Sequence, residues 1–150
     1  RTCFEALGNF DEHLQVGIDY ELWLRIATRF HFKYVDTILT LYRTGHGQLS
    51  DRKEERLETA LTIMNRFLTN QDNNTKIKSS TVRKAYSMTY NSFGYFKLQK
   101  NDKKQSRKYC LRSLSYNPFQ IMSYKLLLRS FLPSWIVTLW HSFKREKYQL

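Results

Sequence analysis

The spacing of apolar residues changes along the chain, and each change predicts a different element. Between residues 19 and 30, apolar side chains recur at helical spacing, which predicts a helix whose apolar face includes Leu22, Trp23 and Ile26. Residues 32–43 instead alternate and are rich in β-forming side chains. This second pattern predicts two short strands.

From about residue 51 onward the pattern is helical, with no candidate strand. A stripe of apolar residues predicts one helix up to about Leu68, and a polar loop follows it. Four more helices are predicted at about 81–99, 102–115, 119–131 and 134–147. The breaks between them fall at Asn-Asp and Asn-Pro pairs and at a proline, which interrupt helices.

Part of this helical region resembles a tetratricopeptide repeat. Gly94 lies on the first helix of a predicted hairpin, Cys110 lies on the second, and Pro118 closes the unit. Because Gly94 has no side chain, we expect the two helices of the hairpin to approach closely at this position. One unit matches, and a single repeat cannot bury its own face, so we expect a helical hairpin region and not a repeat array.

Composition narrows the class of protein. The 150 residues are 41% apolar and 25% charged, with five Gly and two Pro, which is typical of a globular chain. No window is long and apolar enough to predict a transmembrane helix. The chain begins without Met or a signal-like apolar stretch, so we expect a piece of a longer protein. The two cysteines form no CxxC pair, which argues against a zinc or disulfide scaffold and fits a reducing compartment.

The charge is concentrated in the second half of the chain. Residues 76–150 carry 16 Lys and Arg against two acids, a net charge of +14, whereas residues 1–75 carry a net charge of −2. This contrast predicts a surface that meets an anionic partner. A solvated basic face without a partner is the alternative. The sequence contains no recognised nucleic-acid motif, so nucleic acid is not the expected partner.

The apolar run from Trp135 to Trp140 precedes a basic cluster that includes Lys144 and Arg145. Tryptophans beside basic residues are typical of segments that lie in the plane of an anionic membrane. We therefore expect a cytoplasmic protein, with peripheral attachment to the inner leaflet as one interpretation of this run. The other interpretation is that both tryptophans pack inside the last helical hairpin.

Four short motifs follow one another in residues 3–50. They are Gly8-Asn9-Phe10-Asp11-Glu12, the stretch from Gly17 to Ala27, Phe32-Lys33-Tyr34-Val35-Asp36, and Leu41-Tyr42-Arg43 with the loop 45–50. In this order and spacing they resemble the C-terminal part of the catalytic domain of family 2 glycosyltransferases, enzymes of the GT-A fold. Two positions depart from the family pattern: Ile18 replaces an acid, and Gly45 stands where the family more often has His.

The resemblance implies a fold and an activity. Residues 1–50 would be a short α/β segment from the acceptor-side end of a GT-A domain. Residues 51–150 would be an all-helical, tetratricopeptide-like extension with a basic surface, which makes the chain mostly α. The intact enzyme would transfer a sugar, with inversion, from a nucleotide-sugar donor to a hydroxyl of a glycan or lipid-linked acceptor, in the synthesis of a cell-surface polysaccharide or glycan.

The same resemblance places the nucleotide-binding half upstream of Arg1. That half carries the Asp-x-Asp that holds a divalent metal, Mg or Mn, on the sugar diphosphate. We therefore expect no cofactor in residues 1–150 and no transfer by this chain alone. A non-catalytic helical adaptor that binds a protein partner or an anionic membrane is the alternative function.

Asp19 is the expected catalytic residue. An inverting transfer needs a base that takes the proton from the attacking hydroxyl, and the family places that base at the aspartate matched by Asp19. A carboxylate at the start of a helix can be held in position for this role. The alternative is that Asp19 only caps its helix.

Four further residues are candidates by resemblance. Asp11, Glu12 and Trp23 would contact the acceptor, the tryptophan by stacking on a sugar ring. Capping of the turn is the alternative for the two acids, and core packing is the alternative for Trp23. His46 would contact the metal or the diphosphate, with a plain surface histidine as the alternative.

Overall fold

The computed structural model describes residues 2–41, 52–70 and 77–133. In these ranges the chain is mostly α, with six helices and no strand. Their bounds are α1 Thr2–Leu7, α2 Ile18–Ala27, α3 Lys53–Thr69, α4 Ser79–Gln99, α5 Lys103–Tyr116 and α6 Ile121–Phe131. By its contacts the chain divides into two compact units, Arg1–Ile77 and Lys78–Leu150.

Helices α2 to α6 confirm the helical pattern, with ends within about three residues of those predicted. The Asp102 side chain caps α5 by accepting a hydrogen bond of 3.0 Å from the backbone N–H of Gln105. Helix α1 is not predicted by the sequence pattern. The predicted helix 134–147 lies outside the described residues.

The prediction of strands is wrong for residues 32–41, which form neither helix nor strand. A strand needs a neighbouring strand to pair its backbone groups, and the described residues supply none. The apolar side chains of this segment stay exposed: Phe32, Tyr34, Val35, Ile38, Leu39 and Leu41. The remainder of the predicted strand region, from residue 42, lies outside the described residues.

In the first unit, α2 packs on α3 around a small apolar core, and α1 lies against α2. The buried apolar side chains among its described residues are Val16, Leu22, Ile63 and Met64. Gly17 lies just before α2 with φ +72°, and a Cβ there would lie 3.4 Å from Cδ1 of Ile63. The positive φ and the tight approach together explain a glycine at this junction. Because α3 packs on α2, the first compact unit extends past residue 50. The prediction that a GT-A segment ends at residue 50 and a helical extension begins at residue 51 stays a prediction.

The second unit is a bundle of α4, α5 and α6. A Cβ on Gly94 would lie 2.9 Å from Sγ of Cys110, so the close approach predicted for the α4–α5 hairpin is confirmed. The hydroxyl of Ser106 donates to the carbonyl of Gly94 at 2.8 Å across the same crossing. Serine side chains can be buried here because each finds a hydrogen-bond partner.

Candidate functional site

The predicted site residues fall on two neighbouring parts of the first unit. Asp11 and Glu12 lie in the turn between α1 and α2, while Asp19 and Trp23 lie on α2. His46 lies outside the described residues. The turn and the helix are therefore the elements whose geometry bears on the candidate site.

One arginine joins the turn to the helix. The guanidinium of Arg25 binds both carboxylate oxygens of Glu21, at 2.7 and 2.8 Å. It also donates to the backbone carbonyl of Asn9 at 2.8 Å and to the carbonyl of Leu7. Arginine carries five donors in a rigid planar fork, which suits it to hold two carbonyls and a carboxylate together. This contact fixes the entry of the turn against α2.

The role of Arg25 is not predicted by the sequence analysis. The sequence does indicate its ion pair with Glu21, because Glu21 and Arg25 are four residues apart on a predicted helix. The two carbonyl contacts join residues 16 and 18 positions apart, and no local pattern points to them.

Asp11 makes the contacts of a turn cap. Its Oδ1 accepts a hydrogen bond of 3.0 Å from the backbone N–H of His13, and its Oδ2 lies 3.0 Å from the guanidinium of Arg66 on α3. The His13 N–H, followed by the Arg66 side chain, holds the pKa of the Asp11 carboxyl below its ordinary value. Asp11 is thus engaged within the protein, whereas Glu12 beside it is exposed.

Asp19 is exposed in the first turn of α2, two residues after the N-cap position. The N-cap position is Gly17, which makes no side-chain capping bond. The Asp19 carboxylate accepts one hydrogen bond of 2.8 Å, from the adjacent backbone N–H of Tyr20. A negative charge is favourable beside the free N–H groups that begin a helix.

Trp23 projects from α2 into solvent. Its side chain is 54% exposed, whereas the preceding Leu22 is 3% exposed, so the core-packing interpretation does not describe Trp23. Residues four apart on a helix share a face, so the indole ring lies one turn beyond the carboxylate of Asp19. This face of α2 therefore presents an acid and an aromatic ring together.

Two further features concern metals and membranes. Within the described ranges, no three His, Cys, Asp or Glu side chains come together in a group that could hold a metal ion. None of the described helices combines the length and apolar character needed to cross a membrane.

Comparison with known protein families, with curated proteins and with solved structures finds no match for this chain. The interpretation of the site therefore depends on its residues and their geometry.

Proposed function

We propose that this chain is the acceptor-side segment of an inverting glycosyltransferase of family 2, with a helical extension. The observation that carries the proposal is that Asp19 and Trp23, four residues apart on α2, are both exposed, which places them on one face of the helix. An acceptor sugar needs both a base near one hydroxyl and a flat apolar surface for its ring. This face offers the two together.

In the proposed reaction, Asp19 takes the proton from the acceptor hydroxyl as its oxygen attacks the anomeric carbon of the donor sugar. A new C–O bond forms on one face of the sugar, and the bond to the nucleotide diphosphate breaks on the other. The diphosphate leaves with the bonding electron pair, so the configuration inverts. Trp23 holds the acceptor ring by stacking, which keeps the hydroxyl within reach of the carboxylate.

The contacts of Arg25 support this assignment. They fix α2 against the turn that carries Glu12, an exposed acid. A site that must place a hydroxyl within hydrogen-bond reach of a base needs such support, because small displacements cost rate. Glu12 is the second acceptor contact in the proposal, while Asp11 supports the turn through Arg66.

The exposed segment 32–41 is also consistent with a catalytic domain that continues elsewhere. Its apolar, β-forming side chains lack a strand partner in the described residues. In the proposed enzyme, strands of a nucleotide-binding half would pair with this segment and cover it. In the part of the chain that the structure describes, no group of three His, Cys, Asp or Glu side chains forms a donor set for the divalent metal that the resemblance implies.

The test is a transfer assay on the full-length protein that carries these residues, with UDP, GDP and dTDP sugars as donors and lipid and glycan extracts as acceptors. Trp23→Ala removes the stacking surface. We expect the acceptor KM to rise about tenfold, because one aromatic contact contributes on the order of 1 kcal/mol, with the donor KM unchanged.

Tyr95→Ala is the matched control, since it removes an aromatic side chain that is 47% exposed on α4. It should leave both KM values unchanged. An unchanged acceptor KM in Trp23→Ala would place the acceptor elsewhere. If the wild-type protein releases nucleotide from none of the donors, the non-catalytic adaptor is favoured.

A further inference from the structure

Helix α6 exposes more apolar side chains than it buries. The side that faces the bundle carries Ser123, Leu126 and Ser130, which are 0%, 8% and 1% exposed. The side that faces solvent carries Ile121, Leu128 and Phe131, which are 66%, 70% and 67% exposed. An amphipathic helix normally buries its apolar stripe, so the outward apolar face of α6 calls for an explanation.

The inner contacts of α6 fix this orientation. The hydroxyl of Ser123 lies 2.8 Å from the hydroxyl of Ser113 on α5 and 2.9 Å from Oδ1 of Asn91 on α4. Rotating α6 to bury Leu128 would break these bonds and leave buried hydroxyls without partners, which is costly. The apolar side chains therefore face outward because the serines hold the helix from within.

Positive charge borders the outward face. Lys125 lies on the same exposed side of α6. The guanidinium of Arg107 lies 4.9 Å from the ring centre of Phe131, and Nζ of Lys103 donates to the carbonyl of Leu132 at 2.7 Å. Residues 77–133 contain 12 Lys and Arg and one acid, Asp102, whose carboxylate caps α5.

We propose that this face binds the interface of an anionic lipid bilayer, with α6 lying in the plane of the membrane. We call it the α6 surface, and it comprises Phe119, Ile121, Met122, Leu128 and Phe131 with Lys125 and Arg107. Apolar side chains would enter the acyl boundary while the cations meet lipid phosphates. The proposal is independent of the glycosyltransferase assignment.

Charge selects this occupant over two others. A second copy that bound through this same face would bring one strongly basic unit against another, which is repulsive. A nucleic acid would satisfy the cations but not the aliphatic side chains of Ile121, Met122 and Leu128. An anionic bilayer matches both the charge and the exposed aliphatic groups.

The experiment measures co-sedimentation of the full 150-residue chain with vesicles of phosphatidylcholine alone or with 30% phosphatidylserine. We expect binding to the anionic vesicles only, weakening at least tenfold between about 0.05 and 0.5 M salt as the charges are screened. The double variant Leu128→Ser/Phe131→Ser should weaken binding at least tenfold at low salt, with an unchanged unfolding temperature. The matched control is Met88→Ser/Leu111→Ser, which removes two apolar side chains of similar exposure from α4 and α5 and should bind like wild type.

Four results would overturn the proposal. Anionic vesicles that never sediment the chain would exclude a lipid partner. Full binding by Leu128→Ser/Phe131→Ser would mean that only the positive charge of the chain attracts it to the vesicles and that the apolar side chains of α6 do not contribute. Loss of binding in Trp135→Ala/Trp140→Ala, with full binding by the α6 variant, would place the membrane anchor in residues 134–150. A fall of several degrees in the unfolding temperature of the α6 variant would mean that protein covers this face.

Discussion

The two units hold their helices together by different means. In the first unit, four buried apolar side chains are supplemented by two arginine contacts, Arg25 to the turn and Arg66 to Asp11. In the second unit, stacked aromatic rings fill the bundle. The ring centres of Tyr86 and Tyr116 lie 5.0 Å apart, and those of Phe93 and Tyr109 lie 4.9 Å apart. Buried serines complete that packing.

The units also differ in the apolar surface that they expose. In the first, a run of exposed apolar side chains lies on residues 32–41, which form neither helix nor strand, so a neighbouring strand would satisfy it. In the second, a set of exposed apolar side chains lies on α6, whose backbone is already paired within the helix, so a lipid interface would satisfy it. Exposed apolar side chains therefore indicate different kinds of partner, depending on whether their backbone already makes helical hydrogen bonds.

The largest effect is expected where α4 crosses α5. Gly94→Val places a branched side chain where a single Cβ would already lie 2.9 Å from Sγ of Cys110 and 3.4 Å from the carbonyl of Ser106. We expect a loss of about 3 kcal/mol in the stability of the second unit, the upper range for overpacking a tight core. The first unit should be unaffected.

The rates at which Cys3 and Cys110 are labelled test this prediction in one sample, because both thiols are free and each unit contains one of them. Cys110 is 0% exposed and burial raises the pKa of its thiol, so it should react with iodoacetamide only when the second unit opens. Gly94→Val should accelerate labelling of Cys110 on the order of 100-fold relative to Cys3. Ser92→Val, on the exposed side of α4, is the control; equal labelling in both variants would refute the tight crossing.

A smaller effect is expected in the first unit from Arg25→Met. The substitution keeps an unbranched side chain but leaves the carbonyls of Leu7 and Asn9 and the carboxylate of Glu21 without their donor. We expect the first unit to lose about 2 kcal/mol, since hydrogen bonds from a charged group contribute more than neutral ones.

Amide hydrogen exchange provides the measurement, because it reports on α2 and α4 separately. Exchange in α2 should accelerate in Arg25→Met while exchange in α4 stays as in wild type. Arg29→Met, at an exposed position just after α2, should change neither. A uniform acceleration in both helices would mean that the two units do not unfold independently.

Much of the helical architecture could be predicted from the sequence, because apolar spacing and capping residues are local signals. The sequence predicts the five helices α2 to α6, the break at Asn101-Asp102 where Asp102 caps α5, and the close approach at Gly94. The six-residue helix α1 is not predicted, since it buries no side chain and shows no apolar stripe.

The remaining features depend on contacts that sequence spacing does not encode. Residues 32–41 have the alternation of a strand, but a strand forms only where another strand is present. Trp23 and Leu22 are adjacent and both apolar, and only the packing of α2 decides which one is buried. On α6, Leu126 is buried and Leu128 is exposed, and the hydrogen bond between Ser123 and Ser113 on a different helix fixes which side of α6 faces the bundle.

The smallest change that asks whether Asp19 is the base of the proposed sugar transfer is Asp19→Asn in the full-length protein. We expect kcat to fall at least about 100-fold, the usual scale for losing a general base. The unfolding temperature should change little, because Asp19 is exposed and the asparagine side-chain oxygen can still accept the hydrogen bond from the N–H of Tyr20. Glu58→Gln, the same change of charge at an exposed position on α3, should keep full activity. An Asp19→Asn protein that retains activity within a few-fold of wild type, or that loses activity and thermal stability together, would contradict the claim.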